Sequence, residues 1–69
     1  MRPTAHIGQQ LREARARRLL TQEELAEMAG ISAATVVNIE RDHQRPHFRT
    51  IRKLAEALDV EPTELLPKE

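Results

Sequence analysis

TQEELAEMAGISAATVVNIE, residues 21–40, reads as two short helices joined by a tight turn. Thr21 is placed to cap the first helix. Glu24, three residues on, completes a capping box, so two N–H groups orphaned by the first turn find partners. Leu25, Ala26 and Ala29 recur at helical spacing and form the buried side. Gly30 stands where a left-handed residue ends a helix without steric cost. Ser32 caps the second helix, and Val36 and Ile39 are its buried pair. Ala33, Ala34, Val37, Asn38 and Arg41 remain on the outward side. That face is small and uncharged up to its C-terminal end. Such a face enters a DNA major groove without clashing.

Working outward, Ile7, Leu11 and Ala14 at i, i+4 and i+7 predict helix 1 over 7–18. Helix 2 is expected at about 22–29 and helix 3 at about 33–41. Residues 42–46 form a loop, because Pro46 breaks any helical continuation. Ile51, Leu54, Ala55 and Leu58 make the stripe of helix 4, over 48–58. Pro62 fits the first position of a last short helix running through Leu66. There is no internal repeat. The chain therefore reads as one all-α domain over 1–69, a compact bundle of five helices. Its core spans 7–66, its helix-turn-helix unit 21–41, and its ends at 1–5 and 67–69 are expected to be flexible.

Composition agrees. The sequence has 69 residues, which is one domain, and a core of this size buries only about 60% of the unfolded surface. No cysteine is present, so disulfides and thiolate metal sites are excluded. Phe48 is the only aromatic residue; Ala, Leu, Glu, Arg and Gln dominate and favour helix over strand. No apolar run approaches the length of a membrane span. The net charge is zero but unevenly laid out. Residues 1–20 and 41–53 each carry +4, whereas 21–40 and 54–69 each carry −4. A dipolar molecule of this kind can turn one basic surface to phosphates while staying neutral overall. A solvated, salt-bridged surface is the alternative reading of the same charges.

The combination of Arg15, Thr21-Gln22-Glu23-Glu24-Leu25-Ala26, Ala29-Gly30-Ile31-Ser32, Val36 and Ile39-Glu40 resembles the XRE family. This is the helix-turn-helix domain of lambda-repressor-like and Cro-like regulators. The likeness continues through Pro46, Ile51, Leu54-Ala55, Ala57-Leu58, Val60 and Leu65-Leu66 and covers about residues 7–66. It implies that helix 3 is the recognition helix, with Ser32, Ala33, Ala34, Val37 and Asn38 facing base edges and Thr35 close to the backbone. It implies that Gln22 touches a phosphate, and that Arg15 and Glu40 pair to bridge helix 1 to the end of helix 3. Two positions depart from the pattern. Where the family often has glycine, this chain has Leu19 and Asp42. Aspartate tolerates a left-handed backbone moderately and leucine poorly, so the turn after helix 1 is expected to differ or carry strain.

Within that frame each residue type has a chemical task. The Asn38 amide suits a bidentate pair with adenine, and Ala33, Ala34 and Val37 suit thymine methyl groups. The same apolar positions would also suit a protein surface. His47 would cap helix 4, leaving the N–H groups of Phe48, Arg49 and Thr50 open to a phosphate. Arg49 in that first turn opposes the helix dipole, a conflict that a phosphate removes. Arg41 and Arg45 flank the same surface, with His43 beside them. Arg12, Arg17 and Arg18 either reach outer phosphates or are solvated. Leu65, Leu66 and Val60 either form a dimer surface or close the core.

The expected function is sequence-specific binding of double-stranded DNA as a transcriptional regulator, a repressor in the simplest case. Two recognition helices about 34 Å apart would read a pseudo-palindromic operator, which requires a homodimer. The expected setting is the cytoplasm of a bacterium or a phage host. Alternatives are an antitoxin or other protein-interaction module of the same fold, or a controller protein of a restriction–modification operon. No cofactor or metal is expected: His6, His43 and His47 lack metal-site spacing, and no nucleophile constellation or glycine-rich phosphate loop is visible, so an enzyme is not expected. A substrate pocket of ordinary size would not fit so small a domain.

Overall fold

A computed structural model describes residues 6–67. Within them the chain forms α1 (Gly8–Arg17), α2 (Gln22–Ala29), α3 (Ala33–Glu40), α4 (Phe48–Leu58) and a 3-10 helix at Pro62–Leu65. Helices 2 and 4 fall where the sequence places them, and helices 1 and 3 end within a residue of expectation. The fifth helix is a correction. It is a single 3-10 turn, closed by Glu64 N–H to Glu61 O at 2.9 Å and Leu66 N–H to Thr63 O at 3.2 Å. Four residues starting with a proline leave too few N–H groups for i→i−4 bonding. Residues 1–5, 68 and 69, where frayed ends were expected, lie outside the described residues. No described helix is long and apolar enough to cross a membrane.

The capping box forms as read. Glu24 N–H donates to Thr21 Oγ1 at 3.0 Å, and Thr21 N–H donates to Glu24 Oε1 at 2.8 Å. All four α-helices end alike. A residue at positive φ stops each one: Leu19 at 55°, Gly30 at 72°, Asp42 at 60° and Asp59 at 56°. The next N–H then reaches back across the last turn: Leu20 to Arg15 O, Ile31 to Ala26 O, His43 to Asn38 O, Val60 to Ala55 O, at 2.9–3.2 Å. These are Schellman endings, which satisfy the last carbonyls. Leu20, Ile31 and Val60 then pack against the core, the hydrophobic contact that usually accompanies the motif.

α2 packs on α3 and on α4, α1 lies against α3, and the 3-10 turn ties α4 to α1. The core draws Ile7 and Leu11 from the first segment, Leu25 from α2, Val36 and Ile39 from α3, and Ile51, Leu54 and Leu58 from α4. Each such side chain contributes about 1.5–3 kcal/mol on burial. Leu65 is completely buried among them, so it closes the core. Leu66 and Val60 are half-buried.

Leu19 combines a left-handed backbone with 90% exposure. The strained turn expected after helix 1 is therefore located at this residue. A left-handed conformation costs a non-glycine residue about 1–2 kcal/mol, and nothing in the packing of Leu19 offsets it. Leu19→Gly should stabilise the domain by roughly 0.5–1 kcal/mol, after allowance for the looser unfolded chain. Thermal unfolding followed by circular dichroism should show the midpoint rising by a few degrees; a fall would mean that the exposed leucine has a packing role.

Candidate nucleic-acid interface

The outward face of α3 is set by helical register. Ala34, Val37, Asn38 and Arg41 fall at i, i+3, i+4 and i+7 and therefore line one side. Ala34 and Arg41 are exposed, and Val37 and Asn38 are half-buried. The Asn38 side chain makes no hydrogen bond among the described residues, so both halves of its amide remain uncommitted. Ala33 lies one position off this stripe, in register with Val36 and Glu40, and packs partly against the core. Its share in a reading surface is smaller than the sequence suggests. Ser32 is committed locally: its hydroxyl accepts from Thr35 N–H at 3.1 Å and lies 2.7 Å from Thr35 Oγ1. Both hydroxyls flank the open N-terminus of α3.

The second zone is the loop into α4. His47 is the N-cap residue, as expected, but its side chain makes no cap bond. With no acidic residue in the first turn of α4 either, its leading N–H groups have no side-chain acceptor. Arg49 and Phe48 are both exposed there, and Arg45 is exposed in the loop before. A helix start with free N–H groups and a cation in its first turn is built to accept an anion.

Behind both zones lies one polar centre. Glu40, the last residue of α3, is only 2% exposed. Arg15 grips its carboxylate with two bonds, Nε to Oε2 at 2.6 Å and Nη2 to Oε1 at 2.9 Å. Arg15 Nη1 also donates to Leu20 O at 2.8 Å, holding the α1–α2 turn. This is the pair expected from the sequence. Hydrogen bonding to Glu40 raises the Arg15 guanidinium above its ordinary pKa, against a smaller opposing effect of burial. A base strengthened by folding keeps its contribution at every pH below the ordinary arginine range and loses it only above.

Three further contacts at this centre were not read from the sequence. Gln22 donates Nε2–H to Glu40 Oε1 at 3.1 Å. Arg12 Nη1 donates to the Glu40 carbonyl, so Arg12 is engaged with the end of α3 and does not stand as a free cation. Gly8 N–H donates to Asp42 Oδ1 at 3.0 Å, an acceptor that the N-cap residue Ile7 cannot supply. Gly8 is also required by space: a Cβ there would lie 2.5 Å from Glu40 O and 2.6 Å from Asp42 Oδ1. No local pattern carries these contacts, because the partners lie 18–34 positions apart.

Removing Arg15 would strand a buried carboxylate. Arg15→Met should cost roughly 3 kcal/mol or more in urea unfolding, whereas the exposed Arg18→Ala should stay within about 0.5 kcal/mol of the parent. Equal losses would remove the pair from its central place.

The Helix-turn-helix family model HTH_3 matches residues 11–65. The immunity repressor protein of Bacillus phage phi105 is 35% identical over 63 residues, covering 91% of this chain and 44% of that protein. The restriction–modification controller protein C.AhdI from Aeromonas hydrophila superposes with a TM-score of 0.85 at 42% identity, over 90% of this chain and 94% of that one. SinR, the Bacillus subtilis master regulator for biofilm formation, solved in complex with DNA, superposes with a TM-score of 0.84 at 34% identity. That match covers 88% of this chain and 98% of the SinR chain. The chain spans less than half the length of the curated relatives it matches.

Proposed function

The chain belongs to this helix-turn-helix family, and on that premise we propose that it binds double-stranded DNA sequence-specifically and regulates transcription, as a repressor. The observation that carries the reading is the α3 stripe of Ala34, Val37, Asn38 and Arg41, small and unpartnered, beside an uncapped α4 start that carries Arg49. α3 lies in the major groove. Asn38 pairs with adenine, and Ala34 and Val37 meet thymine methyls, with Ala33 and Ser32 at the margin. Gln22, Thr35, Arg41, Arg45, His47, Phe48 and Arg49 hold the phosphates, through side chains or backbone N–H groups. A homodimer presents two such helices to a two-fold operator. The likeness to SinR bound to DNA and to a phage immunity repressor supports this assignment.

A second reading, a controller protein of a restriction–modification operon, is favoured by the likeness to C.AhdI over nearly its whole length. It shares the same DNA chemistry and is separated by whether the gene adjoins a restriction–modification pair. The test common to both is selection of random duplexes by the purified protein. A symmetric motif bound about a thousandfold tighter than shuffled controls is expected. Weak, salt-sensitive binding without enrichment would instead point to a protein partner for the Val37 face.

Two variants separate reading from holding. Asn38→Ala should relax discrimination at one base position and cost about 1–3 kcal/mol in operator binding. Arg49→Ala should weaken all duplexes alike and make the salt slope shallower by about one unit. Competition titrations at several salt concentrations check both, and an unchanged slope would move Arg49 away from the phosphates.

A further inference from the structure

Glu40 does more than neutralise Arg15. Its Oε1 accepts two hydrogen bonds at once, from Arg15 Nη2 at 2.9 Å and from Gln22 Nε2 at 3.1 Å. An ionised carboxylate is acceptor-only, whereas a glutamine amide carries a donor end and an acceptor end. The terminal torsion of glutamine is broad and roughly two-fold, so a free amide exchanges its ends readily. Against Glu40 only one orientation is allowed. The NH2 group must face the carboxylate, because the amide oxygen would meet another acceptor at hydrogen-bond distance. One Nε2–H is then consumed by Glu40. The second has no partner among the described residues, and it sits on the half-buried first residue of α2.

We infer that Glu40 is a positioning residue for phosphate recognition: it fixes the polarity of the Gln22 amide so that a donor, and not the amide oxygen, meets a phosphate oxygen. This rests on the DNA-binding reading above. Arg15 supports the arrangement by holding Glu40 ionised and in place. The last residue of the recognition helix thereby sets the first backbone contact of the helix before it. The buried centre tunes affinity as well as stability. The contact is made by a neutral group, so it adds affinity without adding to counterion release.

The test is a double-mutant cycle on the full chain, with affinity for a fixed duplex measured across salt concentrations. Glu40→Gln permits either amide orientation, and Gln22→Met removes the amide while keeping an unbranched side chain. Folding of each variant is verified by circular dichroism at the titration temperature. Each single variant should lose affinity roughly two- to tenfold, the range of one net hydrogen bond, with an unchanged salt slope. Glu40→Gln should cost nothing further once Gln22→Met is present. Additive losses would overturn the inference and leave the DNA-binding reading intact, whereas failure of the parent protein to bind any duplex would overturn both. If Glu40→Gln does not fold, the two Gln22 side-chain amide protons of the parent protein, followed by NMR during duplex titration, decide. A shift confined to one proton supports the positioning role, and no shift in either, or equal shifts in both, refutes it.

Discussion

A buried carboxylate at the end of α3 is the constraint around which the rest of this small fold is arranged. Taking Glu40 out of water is costly unless its oxygens are fully engaged, and the engagement comes from elsewhere in sequence. Arg15 reaches it from α1, and Gln22 reaches it from the start of α2. The same helix end accepts from Arg12 through its carbonyl, and Gly8 approaches it so closely that no side chain fits between. Asp42, one residue beyond the end of the helix's last turn, gives the first N–H of α1 its acceptor. α1 is thus docked on the C-terminus of α3 by polar bonds as well as by Leu11 and Ile39. The carboxylate is a directional restraint in a core otherwise held by non-directional burial.

Local chemistry handles the helix ends with little help from this centre. Each α-helix stops at a left-handed residue, yet only one of the four is glycine. The two aspartates and Leu19 accept a conformation that glycine would adopt freely. At Leu19 the strain has no visible return in packing, since the side chain stands in solvent. The turn is held instead by Arg15, which bonds Leu20 O with the one guanidinium nitrogen not spent on Glu40. A tertiary restraint compensates for a locally poor turn residue.

The proposed reading surface follows from what the core leaves over. Val36, Ile39 and Glu40 face inward, which turns Ala34, Val37, Asn38 and Arg41 outward by register alone. The uncapped start of α4, with Arg49 in its first turn, is unfavourable for an isolated helix and is relieved by an anion. Core, docking centre and surface therefore divide the residues of α3 among them with little overlap.

The sequence by itself determined the element order, the capping box at Thr21 and Glu24, the stop at Gly30, the apolar stripes and the Arg15–Glu40 pair. The first four are local: their physics acts within one helical turn, so spacing alone exposes them. The pair was legible only through a family resemblance, because no spacing rule joins residues 25 positions apart. Tertiary structure alone decided that the last helix is a 3-10 turn, that Ala33 leans into the core, and that Arg12, Gln22 and Gly8 serve the end of α3. Those outcomes depend on how closely two helices approach and which acceptors stand within about 3 Å once they have packed. Distances across a core are fixed by the joint packing of all the helices, and no single segment carries that information.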